Sequence, residues 1–261
     1  MCIRDSIYAV YRDKISVNTQ KAHLIEVGFD MPHFSTAEIE LIQYAQRHPL
    51  LLELIAKTIN NDISITPKIL LQKFTTYAPI LSDESIYISR TKKEKNIQEQ
   101  LQIIFEAVKL PEAQRDILRE ISLLPSIQIP YEELKTYIHK KERSHTFLQK
   151  NIQQLINYGW LKREGHSLQM HRDIQFTIDA QIPYEKNKHF HVVYNLLKIN
   201  YEKINYNILQ AQPLIIYIKH LVPFLLKNND KRSAATSYNN LASIYKGLGY
   251  LEISLIYQKK S

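Results

Sequence analysis

The clearest fold signals of this chain lie in Leu110–Asp173, whose sequence is LPEAQRDILREISLLPSIQIPYEELKTYIHKKERSHTFLQKNIQQLINYGWLKREGHSLQMHRD. Its first part carries the signals of one helix. Pro111 stands at a first helical position, where its missing N–H costs nothing, and Pro125 ends the segment. Between the two prolines, apolar residues recur at the spacing of a helix face, at Ile117, Leu118, Ile121 and Leu124. The stretch therefore predicts a helix with one buried side.

Two further helices are predicted in the same stretch. One spans residues 131–138 and has an apolar side formed by Tyr and Leu residues. The other, over 143–158, repeats Leu and Ile at helical spacing and ends at Gly159, a residue type common just after a helix.

Short strands complete this unit. Residues 127–130 alternate and are too few for a helix, so they are interpreted as a small strand. The segments 160–164 and 167–171 are strand candidates, with Gly165-His166 as the turn between them. Three helices followed by a hairpin predict a winged helix.

Composition limits the class of protein. The chain has 261 residues, 44% of them hydrophobic, and only five glycines, which favours one large or a few small, mostly helical domains. The single cysteine, Cys2, cannot form an intramolecular disulfide. No signal peptide is visible, and the apolar run Leu214–Leu226 is too short to cross a bilayer. A cytoplasmic protein without a membrane segment is expected.

The positive charge is concentrated in the C-terminal third. Net charge is +8, and residues 174–261 carry 11 Lys and Arg against 5 acids, spread along the sequence. A solvated basic face is therefore favoured over a nucleic-acid patch, which needs clustered cations. The histidines show no metal-ligand spacing, and no catalytic constellation of carboxylates, Ser-His-Asp or Cys-His stands out, so no metal or catalytic residue is predicted.

Four regions are predicted. Residues 1–34, of which 1–6 are interpreted as foreign to the fold, contain strand-like segments at 7–11 and 23–27 and are expected to be the remnant of an upstream sheet. A small helical domain and its linker follow over 35–95, the winged helix over 96–182, and helical hairpins over 183–261.

The signals inside these regions are specific. Within 35–95, a capping box at Ser35 and prolines at 49 and 67 start three short helices, a polar linker begins at residue 75, and a helix is expected from Asn96. The helix after Asp173 is expected to reach about Ala180.

The last region predicts a helix pair over 189–202 and 206–226 and then a helical hairpin. Leu248-Gly249 forms the turn of that hairpin, and the small residues Ala242 and Ser254 permit close approach of its two helices.

A first resemblance concerns this hairpin. Residues 235–245, ATSYNNLASIY, followed by Leu248-Gly249, resemble the first helix and turn of a tetratricopeptide repeat. Since one such repeat cannot bury its own apolar face, the resemblance implies a fragment that further repeats follow. The expected fold class is mostly α: a small helical bundle, a winged helix with a short β-hairpin wing, and tetratricopeptide-like solenoid helices.

A second resemblance covers roughly residues 20–261. Residues 46–54, QRHPLLLEL, resemble a segment of NB-ARC-type STAND signalling ATPases, and residues 122–131 and 155–161 resemble the winged helix of that family. Met170-His171 resembles the start of its Met-His-Asp motif, with Arg172 where the aspartate stands. The order of small helical domain, winged helix and repeats is also that of the family.

The resemblance implies roles for two residues. Pro49 would pack near the adenine of a bound nucleotide, and His171 would contact the β-phosphate of ADP. The chain has no P-loop, so it is not expected to be an enzyme and holds no cofactor by itself. ADP or ATP would bind a nucleotide-binding domain upstream of residue 1.

The family implies a switch in which ADP holds the winged helix on that upstream domain. A protein or peptide ligand on the repeats would release it, and the ATP state would form a homo-oligomer. Two alternatives remain open. One is a winged-helix transcriptional regulator that reads DNA through residues 143–163, including Lys150 and Lys162; the other is a protein-interaction scaffold without a nucleotide role.

Overall fold

The computed structural model describes residues 35–45, 48–77, 90–206 and 208–261. The proposed sheet remnant 1–34, with its strand candidates, lies outside the described residues, as does most of the proposed linker. The chain divides into two compact units. The first comprises the described residues up to Pro111 together with Gln153–Trp160, and the second comprises Glu112–Ile152 and Leu161–Ser261.

The described chain is mostly helical with one small three-stranded sheet, as the sequence predicts. In the first unit, α1 (Thr36–Tyr44) packs on α3 (Pro67–Tyr77), while α4 (Arg90–Val108) packs on α3 and on α2 (Pro49–Asn61). The core of this bundle consists of side chains with almost no exposure, among them Leu54, Leu70, Phe74, Leu101 and Ile104.

The start signals in this bundle are confirmed. The Ser35 hydroxyl accepts a hydrogen bond from the Glu38 N–H, and the Glu38 carboxylate accepts one from the Ser35 N–H at 2.7 Å, which completes the capping box. The expected start of α4 at Asn96 is wrong, because the helix begins at Arg90. Lys and Glu are good helix formers, so the charged run at 92–95 extends the helix instead of ending a linker.

The winged helix has the predicted elements. Helix α5 (Glu112–Ser122) precedes β1 (Ile129–Pro130), α6 (Tyr131–Tyr137) and α7 (His145–Tyr158), and the wing consists of β2 (Lys162–Glu164) and β3 (Ser167–Gln169). The antiparallel strand order is β1-β3-β2, with Leu168 paired to Ile129 on one side and Arg163 on the other.

Two glycines with positive φ occur in the winged helix, one directly after α7 and one in the turn between β2 and β3. Gly159 has φ +87°, and a Cβ there would come within 2.9 Å of the Lys57 side chain and 3.1 Å of that of Leu54, so both backbone and space require glycine. Gly165 has φ +58° in the turn of the wing. Residues of α7 from Gln153 onward group with the first unit.

Helices continue to the end of the chain: α8 (Arg172–Gln181), α9 (Lys186–Tyr206), α10 (Ile208–Ala211), α11 (Leu214–Lys227), α12 (Lys231–Gly247) and α13 (Leu251–Gln258). The expected single helix over 206–226 is wrong, since Pro213 caps a new helix and separates α10 from α11. A proline has no N–H to donate to the preceding turn, so it favours a helix start. Pro223, in contrast, lies inside α11.

The final hairpin packs as the sequence predicts. The Ser254 hydroxyl of α13 donates a hydrogen bond of 2.8 Å to the Ala242 carbonyl of α12, which requires the two backbones to lie close together. The Tyr257 ring stacks on Tyr245 at 5.6 Å between ring centroids and on Tyr238 at 6.1 Å. These pairings show that α12 and α13 run antiparallel.

Candidate functional site: a buried charge cluster in the winged helix

The structure places Pro49 at the start of α2, in the first unit. Pro49 is the first residue of that helix and is exposed, which is the helix-starting role expected of a proline after a break. Its proposed adenine contact stays a prediction.

His171 lies in the second unit, at the end of the winged helix, where it caps α8. Its Nδ1 accepts a hydrogen bond from the Asp173 N–H at 3.2 Å. Because a neutral imidazole that accepts at Nδ1 carries its proton on Nε2, the other nitrogen is a donor. The side chain is 53% exposed, so that donor can meet a ligand. The proposed phosphate contact likewise stays a prediction, and the structure does not bring His171 and Pro49 into one unit.

A cluster of charged side chains is buried next to the winged helix, and its centre is Glu120 of α5. The Glu120 side chain has no exposed surface. Both of its oxygens accept hydrogen bonds from the Arg143 guanidinium, at 2.6 and 2.9 Å, and Lys140 Nζ lies 3.1 Å from one of them. Two parallel bonds between arginine and a carboxylate are among the stronger protein hydrogen bonds. One buried carboxylate is thus paired with two cations from the segment before α7.

Helix α9 contributes two histidines to the same region. His191 Nε2 lies 3.4 Å from a Glu120 oxygen, and His189 Nε2 lies 3.7 Å from Asp116 of α5. Burial, reinforced by Lys140 and Arg143, lowers the pKa of His191 to about 4. Burial also lowers the pKa of His189, whose Nδ1 accepts the Glu185 N–H at 3.0 Å. Both rings are therefore neutral near pH 7.

A third cation, Arg119, extends the cluster along α5. The guanidinium of Arg119, only 4% exposed, donates to the Asp179 carboxylate of α8 and to the Ser122 hydroxyl at 3.0 Å. It also lies 5.9 Å from the ring centroid of Tyr184 and 5.5 Å from that of Phe224. Through these contacts α5 is tied to α8 and α11 as well as to α9.

The cluster reduces the number of side chains that could contact DNA. Arg143 belongs to residues 143–163, through which the DNA-binding alternative would read bases. Its guanidinium faces the interior and is bound to Glu120. Lys150 of α7 is exposed, as are Lys162 and Arg163 of the wing. The Lys162 ammonium is 2.5 Å from Glu164, and Arg163 donates to the Gly165 carbonyl at 3.1 Å. The described surface of α7 and the wing therefore presents fewer unengaged cations than the sequence indicates.

A cavity of about 400 Å³ adjoins the cluster, between α6 and the start of α7. Its lining includes both cations that bind Glu120, and it also has a lysine and two histidines of its own. These five side chains are Lys135, His139, Lys140, Arg143 and His145.

This site was not predicted from the sequence, although one signal for it was present. Glu120 lies three residues after Ile117 and four before Leu124, so it stands on the apolar face of α5. A charged residue on a buried face requires a charged partner, since burying an unpaired carboxylate is very costly. The partner itself could not be identified from the sequence, because Arg143 is 23 residues away in the chain.

Comparison with protein-family models and with curated proteins finds no match to this chain. Within the part of the chain that the structure describes, no group of three or more His, Cys, Asp or Glu side chains is placed to hold a metal ion. None of the helices in the described ranges is both long enough and apolar enough to cross a bilayer.

Proposed function

We propose that this chain is the regulatory portion of a STAND-type signalling NTPase. In this role the winged helix reports the nucleotide state of an upstream domain to the C-terminal helices, which sense a protein or peptide ligand. The observation that carries the proposal is the Glu120 cluster, in which Lys140 and Arg143 face inward and His191 of α9 joins them. Such a winged helix is built to pack against its neighbours, which supports a switch module over a DNA reader.

The position of His171 supports the same role. It lies between the wing and α8, and its Nε2–H is left for a ligand when Nδ1 caps the helix. A phosphate oxygen of ADP is a suitable acceptor for such a donor. Loss of this contact when the nucleotide changes would alter the relative stability of two conformations, which is what coupling between two sites requires.

The C-terminal helices would provide the second binding site, where a ligand favours one state of the switch. The hairpin α12–α13 has the antiparallel packing of a tetratricopeptide-like unit, with small residues at the contact and stacked tyrosines beside it. A ligand that binds this helical region more tightly in one state shifts the switch toward that state. In the active state we propose that the parent protein forms a homo-oligomer.

The test is nucleotide binding by the product of the longest reading frame that contains this chain. We expect a Walker A motif within about 150–200 residues upstream of residue 1, the length of one domain. We expect ADP to bind that protein, and His171→Ala to weaken ADP about tenfold by removing one charge-assisted hydrogen bond. His166→Ala, an exposed histidine in the turn of the wing, is the matched control. An upstream sequence without a P-loop, or equal ADP affinity in both variants, overturns the proposal.

A DNA-binding regulator is the second candidate, favoured by the exposed Lys150 and the basic residues of the wing. It predicts duplex binding that weakens with salt, because phosphate contacts release counterions. Under this alternative Lys150→Glu and Lys162→Glu each weaken binding, and the exposed Lys141→Glu, which lies before α7, serves as the control.

A further inference from the structure

The cavity between α6 and the start of α7 is lined by positive and neutral donors. Three of its side chains are full cations, namely Lys135, Lys140 and Arg143. The Glu120 carboxylate contacts Lys140 and Arg143 at once, so Glu120, Lys140 and Arg143 together carry one positive charge. The remaining acid is Glu132, which pairs with Lys135 but is 80% exposed. An ion pair with so exposed an acid is weak, which leaves Lys135 available to another anion.

Two polar side chains from different helices meet in this cavity. Lys135 Nζ of α6 lies 3.0 Å from Nε2 of His145, the first residue of α7. The Tyr131 ring contacts both, since Lys135 Nζ is 5.2 Å from its centroid and the His145 ring packs against it edge-on at 6.5 Å. The aromatic ring therefore holds the ammonium and the imidazole side by side. Because an ammonium can only donate, Nε2 of His145 accepts this bond and its ring proton lies on Nδ1. The remaining protons of the Lys135 ammonium can be donated to a tetrahedral anion.

Although Thr136 and Ser144 also line the cavity, most of its exposed surface is apolar. Leu148 supplies part of that surface, whereas Ile138 has no exposed surface of its own. A volume of about 400 Å³ falls within the range of small-molecule sites, roughly 300–1,000 Å³, and exceeds what one inorganic phosphate fills. The shape and chemistry fit a phosphate group with a small organic substituent.

We propose that this cavity is a binding site for a small phosphate ester. Lys135, oriented by His145, binds the phosphate. Lys140 and Arg143 provide positive potential, and the apolar surface that includes Leu148 contacts the organic part. The site is separate from His171, and it does not depend on the nucleotide role proposed above. Since Lys140 and Arg143 also hold Glu120, a ligand there stabilises the segment that ties the winged helix to α9.

The experiment is calorimetric titration of the full 261-residue chain with phenyl phosphate and, separately, with inorganic phosphate. We expect both to bind at one site, and phenyl phosphate to bind more tightly because its ring buries apolar surface. Lys135→Gln is expected to weaken both about tenfold, the effect of one charged donor. Lys141→Gln removes the same charge from an exposed position outside the cavity and is expected to change the affinity less than about twofold.

Each other outcome decides against the proposal. If Lys135→Gln and Lys141→Gln lose affinity equally, the effect is one of net charge. If neither phosphate compound binds the parent chain, the site does not exist. An ester that binds no more tightly than inorganic phosphate contradicts the role of the apolar wall. Duplex DNA that competes with phenyl phosphate for Lys135 identifies a nucleic-acid surface instead. His145→Gln, with circular dichroism as a check of folding, gives a second test of the same contact.

Discussion

The charge cluster around Glu120 and the hairpin α12–α13 both bury polar atoms, but they stabilise them in different ways. In the cluster, one fully buried carboxylate is shared by Arg143 and Lys140. In the hairpin, the buried Ser254 hydroxyl makes one neutral hydrogen bond to a backbone carbonyl. Removing the partner of a buried charge lowers the free energy of unfolding far more than removing a buried hydroxyl together with its hydrogen bond. The cluster should therefore be much more sensitive to substitution than the hairpin.

The largest effect is expected for Glu120→Gln. The change leaves Arg143 and Lys140 in a buried site without their anion, so the free energy of unfolding should fall by about 3–5 kcal/mol. Urea denaturation followed by circular dichroism measures this change. Glu142→Gln, at an exposed position of the same segment, is the control and should stay within about 0.5 kcal/mol of the parent. Equal stability of the two variants would show that the cluster contributes little.

The next effect concerns pH. The pKa of His191 is lowered from 6.5 to about 4, so between these pH values the unfolded chain binds a proton that the folded chain does not. Stability should therefore decrease as the pH falls through this range, by about 3 kcal/mol at pH 4. The groups around the ring are Glu120, Lys140, Arg143 and His189.

His191→Gln should remove this part of the pH dependence, measured as the free energy of unfolding at several pH values. The lowered pKa of His189 acts in the same direction, so a smaller dependence should persist in the variant. The exposed His166→Gln should keep the full dependence of the parent. A His191→Gln profile that matches the parent would disprove the assignment.

The smallest effect is expected in the hairpin. Ser254→Ala removes the bond to the Ala242 carbonyl and should lower the free energy of unfolding by about 1 kcal/mol. Ser261→Ala removes a hydrogen bond of the same length, to the Gln258 carbonyl at an exposed position. This change should alter the free energy of unfolding by less than about 0.5 kcal/mol. Thermal denaturation of the two variants gives the comparison. A Ser254→Ala effect as large as that of Glu120→Gln would remove the distinction between the two regions.

The same contrast explains what could be predicted from the sequence. The hairpin follows local rules, since small residues at Ala242 and Ser254 and the turn at Gly249 lie within a short stretch. The winged helix was predicted for the same reason. Its signals are local: Pro111 precedes the start of one helix, Gly159 follows the end of another, and apolar residues alternate in the wing.

The charge cluster depends on contacts between distant residues. Glu120 contacts Lys140 and Arg143, which lie 20 and 23 positions later, and His191, which lies 71 positions later. No helical or strand periodicity connects residues so far apart. Two helix boundaries were also missed, at Arg90 and Pro213. In both cases one residue type has two structural uses, since charged residues suit linkers and exposed helices alike, and proline both ends and begins helices.

The packing around Trp160 has a spectroscopic consequence. Trp160 is the chain's one tryptophan, it is fully buried, and its ring meets Phe105 edge-on at 5.3 Å within the first unit. Its fluorescence therefore reports the opening of the core of the first unit, as an emission maximum that moves to longer wavelength on contact with water. Far-ultraviolet ellipticity reports the helices of both units. A denaturation curve recorded with both signals distinguishes independent melting of the two units from a single cooperative transition, without any introduced label.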